Sequence, residues 1–270
     1  MRKLVVVLFC LVMLLRVGAA FAASDPTTNP DPKAPAVDNG LTEAGDKAKV
    51  KMNKVFSQPP IVICNAQWNG KAYSCSAIQV TTSYFAVSIR DENKRPVSQA
   101  WVQWVAFLPS SNYAIIGGKR TTNHNDQVTF SSMGASPVIL CNAFKDNAAL
   151  NACAATNTAT GFTAVIRDQD NATVQGATMF WMAVVPNSMN KFRGNVAQRN
   201  HNATVSLSPS LNTPCYYWVS GQLGMEPYAC YAYHNPPNYN APNAFKLLQC
   251  SHSAPGGTSV WTQWLGWGGW

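Results

Sequence analysis

Two sets of residues in this chain have the type and spacing to do chemistry. Cys64 and Cys75, Cys141 and Cys153, and Cys215 and Cys230 form three pairs at similar spacing. In an oxidising compartment such pairs read as disulfides. The second set comprises Asp91, Glu92 and Asn93, then Asp168, Gln169, Asp170 and Asn171, each in a turn-forming run. Carboxylates and amides offer the acceptors and donors that vicinal hydroxyls need, which suits a neutral polyhydroxylated ligand. The competing reading makes them turn residues selected for backbone geometry. A metal is not expected. The cysteines lack a partnered CxxC or nearby histidines, and Asp168, Asp170 and Asn171 are too few ligands for calcium.

Catalysis is not expected either, and no cofactor is implied. The chain has no GxSxG and no HExxH, and His124, His201, His234 and His252 share no spacing that makes a site. No pair among Asp91, Glu92, Asp168 and Asp170 is singled out as glycosidase carboxylates. The IIGGKRT run beginning at Ile115 lacks the first glycine of a phosphate loop and has Arg120 where Ser or Thr must follow the lysine.

The acidic turns lie between alternating strands. In residues 84–109, Phe85, Val87 and Ile89 alternate with small or polar neighbours, and so do Val102, Trp104 and Ala106, which is the period of sheet. The pattern returns in residues 161–186, where Phe162 and Trp181 keep the spacing of Phe85 and Trp104 and the IRD triplet sits at the same offset. A more worn copy follows in residues 244–267, with Phe245 and Trp264 at the same spacing. Three copies of one unit are implied. The expected fold is all-β: three tandem β-sandwich units of about six antiparallel strands, with helical periodicity scarcely visible. Each cysteine pair precedes its strand-turn-strand. In the first copy Asn69-Gly70 is the preferred dipeptide of a two-residue hairpin turn, setting Cys64 opposite Cys75. Three disulfides within the repeats are the expectation, leaving Cys250 over.

The basic start, the apolar run from Leu4 to Leu15 and the ending Ala20-Phe21-Ala22 read as a secretory signal, residues 1–22, cleaved after Ala22. Arg16 cuts the apolar run short of a membrane span, so no transmembrane segment is expected in a secreted or extracytoplasmic mature chain. Residues 23–46 carry repeated prolines and read as a disordered tether. The units are expected at 47–109, 126–186 and, divergent, 203–270. Removing Arg2, Lys3 and Arg16 leaves 17 basic against 12 acidic residues, scattered rather than striped, which argues against nucleic acid. With charged residues at 12% of the chain, neutral polar side chains must cover much of the surface. Trp104, Trp181 and Trp264 fall in the inward register. Trp68, Trp101 and Trp261 are left for packing or for stacking on a sugar ring.

Each unit resembles the H-type lectin domain, a small β-sandwich of agglutinins that binds N-acetylgalactosamine-type sugars. The resemblance rests on Phe56 followed by Pro59, Pro60 and an apolar strand, on the Thr-rich turns into Phe85 and Phe162, and on the strands VQWVAF and MFWMAV. It implies glycan or glycoprotein partners, galactose-type specificity and a single-chain pseudo-trimer; the oligomeric state beyond that is left open. Carried over by position, the sugar contacts are Glu92 and Asn93, Gln169 and Asp170, and His252 and Ser253, where the best-known member has Trp-His. That departure leaves the fold inference standing and removes the basis for N-acetylgalactosamine specificity. The alternative is an exported structural or adhesive protein built from lectin-like sandwiches.

Overall fold

The computed structural model describes residues 37–108, 115–185, 192–200, 203–206, 215–223, 226–233, 244–250 and 260–268. The signal and most of the expected tether lie outside these residues, as do His252 and Ser253. Every described element is a strand, so no described helix is long and apolar enough to cross a membrane.

The first unit comprises β1 (Val37–Ala44), β2 (Lys49–Lys51), β3 (Ile61–Trp68), β4 (Lys71–Ile78), β5 (Tyr84–Arg90) and β6 (Ala100–Phe107). The second repeats it as β7 (Ile115–Thr122), β8 (Gln127–Thr129), β9 (Val138–Lys145), β10 (Ala148–Thr158), β11 (Gly161–Arg167) and β12 (Ala177–Val184). The third does so as β13 (Phe192–Arg199), β14 (Thr204–Ser206), β15 (Cys215–Leu223), β16 (Glu226–Tyr233), β17 (Ala244–Cys250) and β18 (Val260–Gly268). Each forms a six-stranded antiparallel sheet with the same strand order, β1-β6-β3-β4-β5-β2 in the first. The three copies read from the sequence are thus three copies of one sheet.

The sheet curls into a sandwich because its fourth strand changes partner. β4 pairs with β3 over Lys71–Tyr73, then with β5 over Ser74–Ile78. Phe85 and Trp104 meet edge-to-face between the layers with ring centroids 5.7 Å apart, and Phe162 and Trp181 repeat the contact at 5.7 Å. Trp264 is also buried. The inward register expected of these three tryptophans is what the core uses. The first unit is also pinned by a buried ion pair, Arg90 Nη1 to Asp46 Oδ2 at 2.8 Å. The other Asp46 oxygen accepts from the Ile89 amide and the Ser88 hydroxyl.

The units begin earlier than the sequence suggests. Val37–Ala44, assigned to the tether, is β1, and the stretches read as linkers contain β7 and β13. β1 and β7 escape periodicity because a glycine among polar residues stands on the inner side; in β13 the same place holds Asn195, opposite Trp264. Their identity lies in register: Gly40 sits opposite Trp104 and Gly118 opposite Trp181. A Cβ at Gly40 would stand 2.7 Å from the Trp104 ring, and one at Gly118 2.9 Å from Trp181 Nε1. Glycine is selected here for close approach of an indole, a use that resembles linker composition.

The sheets meet through their outer faces. Ile61, Ile63, Val105 and Phe107 of the first unit share one apolar cluster with Leu140, Phe180 and Met182 of the second and Trp218 and Leu265 of the third. β4, β10 and β16 also touch one another pairwise. These contacts put the three units around a common centre, the pseudo-trimer expected from copy number.

Amides tie the units in one sense of rotation. Asn142 of the second unit accepts from the Cys64 amide at 2.6 Å and donates to the Cys64 carbonyl at 3.0 Å in the first. Asn65 of the first accepts from Val219 N at 3.3 Å and donates to Val219 O at 2.9 Å in the third. Gln263 of the third accepts from Ile139 N at 2.9 Å and donates to Ala154 O at 2.7 Å in the second. Asn142→Ala would strand a buried N–H and C=O, and is expected to lower stability by about 1–3 kcal/mol in chemical denaturation. An unchanged midpoint would remove this role.

Candidate functional site

The residues singled out by sequence fall in two equivalent turns. Asp91 Oδ1 accepts from the amides of Asn93 and Arg95, and Asp168 Oδ1 accepts from those of Asp170 and Ala172. Lys94 and Asn171 take the left-handed conformation at equivalent points, with φ of 63° and 65°. The two aspartates therefore build the turns themselves. Gln169 is buried and donates its Nε2 to Ala149 O at 2.9 Å. Glu92 lies 3.8 Å from Lys71, and Asn93 is exposed.

Folding joins the two turns across the first junction. Lys94 Nζ lies 2.7 Å from Asp168 Oδ2 and also contacts Asp170 Oδ2. The hydrogen bond to Asp168 raises the Lys94 ammonium above its ordinary value, and the one to Asp170 adds to it. Partial burial acts to raise the Asp168 carboxyl, but Lys94 and the turn amides outweigh it and hold it below the ordinary value. A depressed carboxylate stabilises the fold above its unfolded pKa of about 3.9 and loses that contribution as pH falls through the lower folded value. Because the lysine is half-exposed, a Lys94→Ala and Asp168→Asn double-mutant cycle should give coupling below about 1 kcal/mol at neutral pH. That coupling should shrink in high salt and vanish under acid; coupling that persists there would contradict the ion pair.

Among the cysteines, one expected pairing has the right register. Asn69 and Gly70 form the two-residue turn, with φ of 49° and 76°, and the Cys64 and Cys75 Sγ atoms face each other 2.8 Å apart. Both are buried thiols, and burial, followed by the contact with Cys64, pushes the Cys75 thiol well above its ordinary value. The structure contains no disulfide among the described cysteines, and register sets neither of the other two pairs face to face. The turn at Asp146 and Asn147 sets Leu150 opposite Ala143, so Ala152 stands opposite Cys141. Cys153, one residue on, faces the other side and packs with Ala155 and Val165. In the third unit Gly221 stands opposite Tyr228, which places Val219 opposite Cys230. Cys215 lies four residues back along β15, opposite Gly268. That is about 13 Å from where a bridge to Cys230 would start. Cys250, opposite Ala229 in β17, occupies the register of Arg90 and Arg167.

A different place has the shape of a binding site. Between the second and third units lies an open groove of about 620 Å³, lined on one side by Pro137, Thr156 and Asn157 and on the other by Val196, Trp261 and Gln263. None of its described lining residues is charged. Trp261 is 47% exposed and Val196 43%. Thr156 and Asn157 form a bulge, since the β10–β11 register shifts between Ala155 and Thr158, and Thr156 has a φ of 52°. The bulge aims Asn157 across the junction.

Hydrogen bonding sets how its amide lies. Gln263 donates Nε2 to the Ala154 carbonyl, so its Oε1 faces the Ile139 N–H and can only accept. Asn157 must then present Nδ2 to that oxygen, at 2.6 Å, which leaves its own Oδ1 as a buried acceptor without a partner. Such an atom costs about 1–3 kcal/mol unless something donates to it. Residue order leaves Trp261 undecided and does not point to Asn157, because the bulge that aims it is invisible there. Compared with known proteins, the chain matches no family model, no curated protein and no solved structure.

Proposed function

We propose that this is a secreted carbohydrate-binding protein, cleaved after Ala22, that takes a neutral glycan in the groove between its second and third units. The observation that carries the reading is the groove's lining: an exposed indole beside amides and a threonine, without described charge. An indole plate receives the C–H face of a sugar ring, and amides exchange hydrogen bonds with its hydroxyls. This places sugar binding away from the β5–β6 and β11–β12 turns, whose Asp168, Gln169 and Asp170 serve internal contacts. Galactose-type specificity rests on the resemblance to H-type lectins alone.

Export would also expose the chain to disulfide-forming catalysts, and Cys64–Cys75 is the pair positioned to be oxidised. Intact mass after alkylation under denaturing conditions should show that pair protected in exported protein and alkylated after reduction. Peptide mapping that places both cysteines among the alkylated sites before reduction would refute the bridge.

The functional test is a glycan array on exported protein with free-sugar competition. Competed binding is expected, and Trp261→Ala should weaken it at least about tenfold. Absence of any competed signal from folded protein would favour the adhesive alternative, which the internal engagement of Lys94, Asp168 and Asp170 also suits.

A further inference from the structure

We infer that like junctions have been made unlike: the second junction is open to ligand, whereas its pseudo-equivalent at the first junction has been filled by side chains. The inference rests on the glycan-binding reading. The equivalence follows from register, because Trp181 stands opposite Cys141 and Trp264 opposite Val219. Phe180 of the second unit therefore occupies the position of Gln263 in the third, and Thr178 that of Trp261. By the same pairing along the first strands, Gly117 matches Gly194 and Lys119 matches Val196.

Each change closes the first junction or opens the second. Phe180 is buried in the shared apolar cluster, with Val80 of the first unit packed against it at the position of Asn157. Lys119 lays its ammonium 5.5 Å from the Phe180 ring centroid, where the third unit has the shorter Val196. The Phe107 ring lies so close to Gly117 that a Cβ there would stand 2.6 Å from Cζ. In the second unit Val184 stands in the register of Phe107, with much less bulk. Large apolar groups thus fill one junction, while smaller and polar ones leave the other accessible beside an exposed indole. The units are alike in backbone and unlike in this function.

The test is isothermal titration of the exported chain with cellotriose, chitotriose, maltotriose and lacto-N-tetraose. For those that bind, fewer than three equivalents per chain are expected. Trp261→Ala and Val196→Lys, the latter rebuilding the lysine of the first junction, should each weaken binding at least about tenfold. Thr178→Ala, at the corresponding site of the first junction, should change it less than about twofold. Both groove substitutions are at exposed positions, and unchanged thermal melting will show that folding is intact. Three equivalents, or a loss on Thr178→Ala matching that on Trp261→Ala, would overturn the closure of the first junction while leaving glycan binding in place. Failure of all four sugars to bind would overturn both.

Discussion

The assembly depends on backbone hydrogen bonds that its own sheets leave unmade. Where β4 leaves β3 to join β5, the Cys64 amide and carbonyl lose the strand that would have paired them. The change of partner closes the sandwich over Phe85 and Trp104, so it cannot be avoided. Buried peptide groups without partners would cost too much, and the neighbouring unit supplies them: Asn142 reaches Cys64, Asn65 reaches Val219, and Gln263 reaches Ile139 and Ala154. Each sandwich is completed by another.

This mutual completion explains why the outer faces are apolar. A lone sheet of this kind would expose Ile61, Ile63, Val105 and Phe107 to water, whereas three sheets bury them against one another. At about 25 cal/mol per Å² of apolar surface, burial of this extent is the main stabilising contribution at the centre, while the amides set orientation. The polar ties Ser88 to Ala149 and Ser74 to Asn151 further orient β10 against the first unit. Joining three units in one chain also frees their junctions to differ, as identical subunits could not. The Phe180 and Gln263 positions show that freedom used.

The same freedom accounts for the uneven cysteines. Cys64 and Cys141 share one register site, but their cross-strand positions hold Cys75 and Ala152; in the third unit the site is Val219 and its opposite Cys230. Spacing along the chain suggested three like pairs because each pair is separated by similar numbers of residues. A one-residue difference turns Cys153 to the other face of its strand, and Cys215 sits four residues from the site opposite Cys230, so only the first pair meets.

Residue order alone determined what depends on short-range pattern. The Phe-to-Trp spacing, period-2 alternation, the Asn69-Gly70 turn and the aspartate-led turns at Asp91 and Asp168 are local, and they sufficed for all-β units in triplicate with tryptophan cores. The edge strands β1, β7 and β13 were not legible, because the glycines of β1 and β7, and Asn195 of β13, answer to a tryptophan some sixty to seventy residues away in the chain. Nor was the groove, whose walls come from different units and whose key amide is aimed by a bulge and oriented by Gln263. Those contacts exist only after the outer faces are buried together, which is why tertiary structure, and not residue order, decided where a ligand could enter.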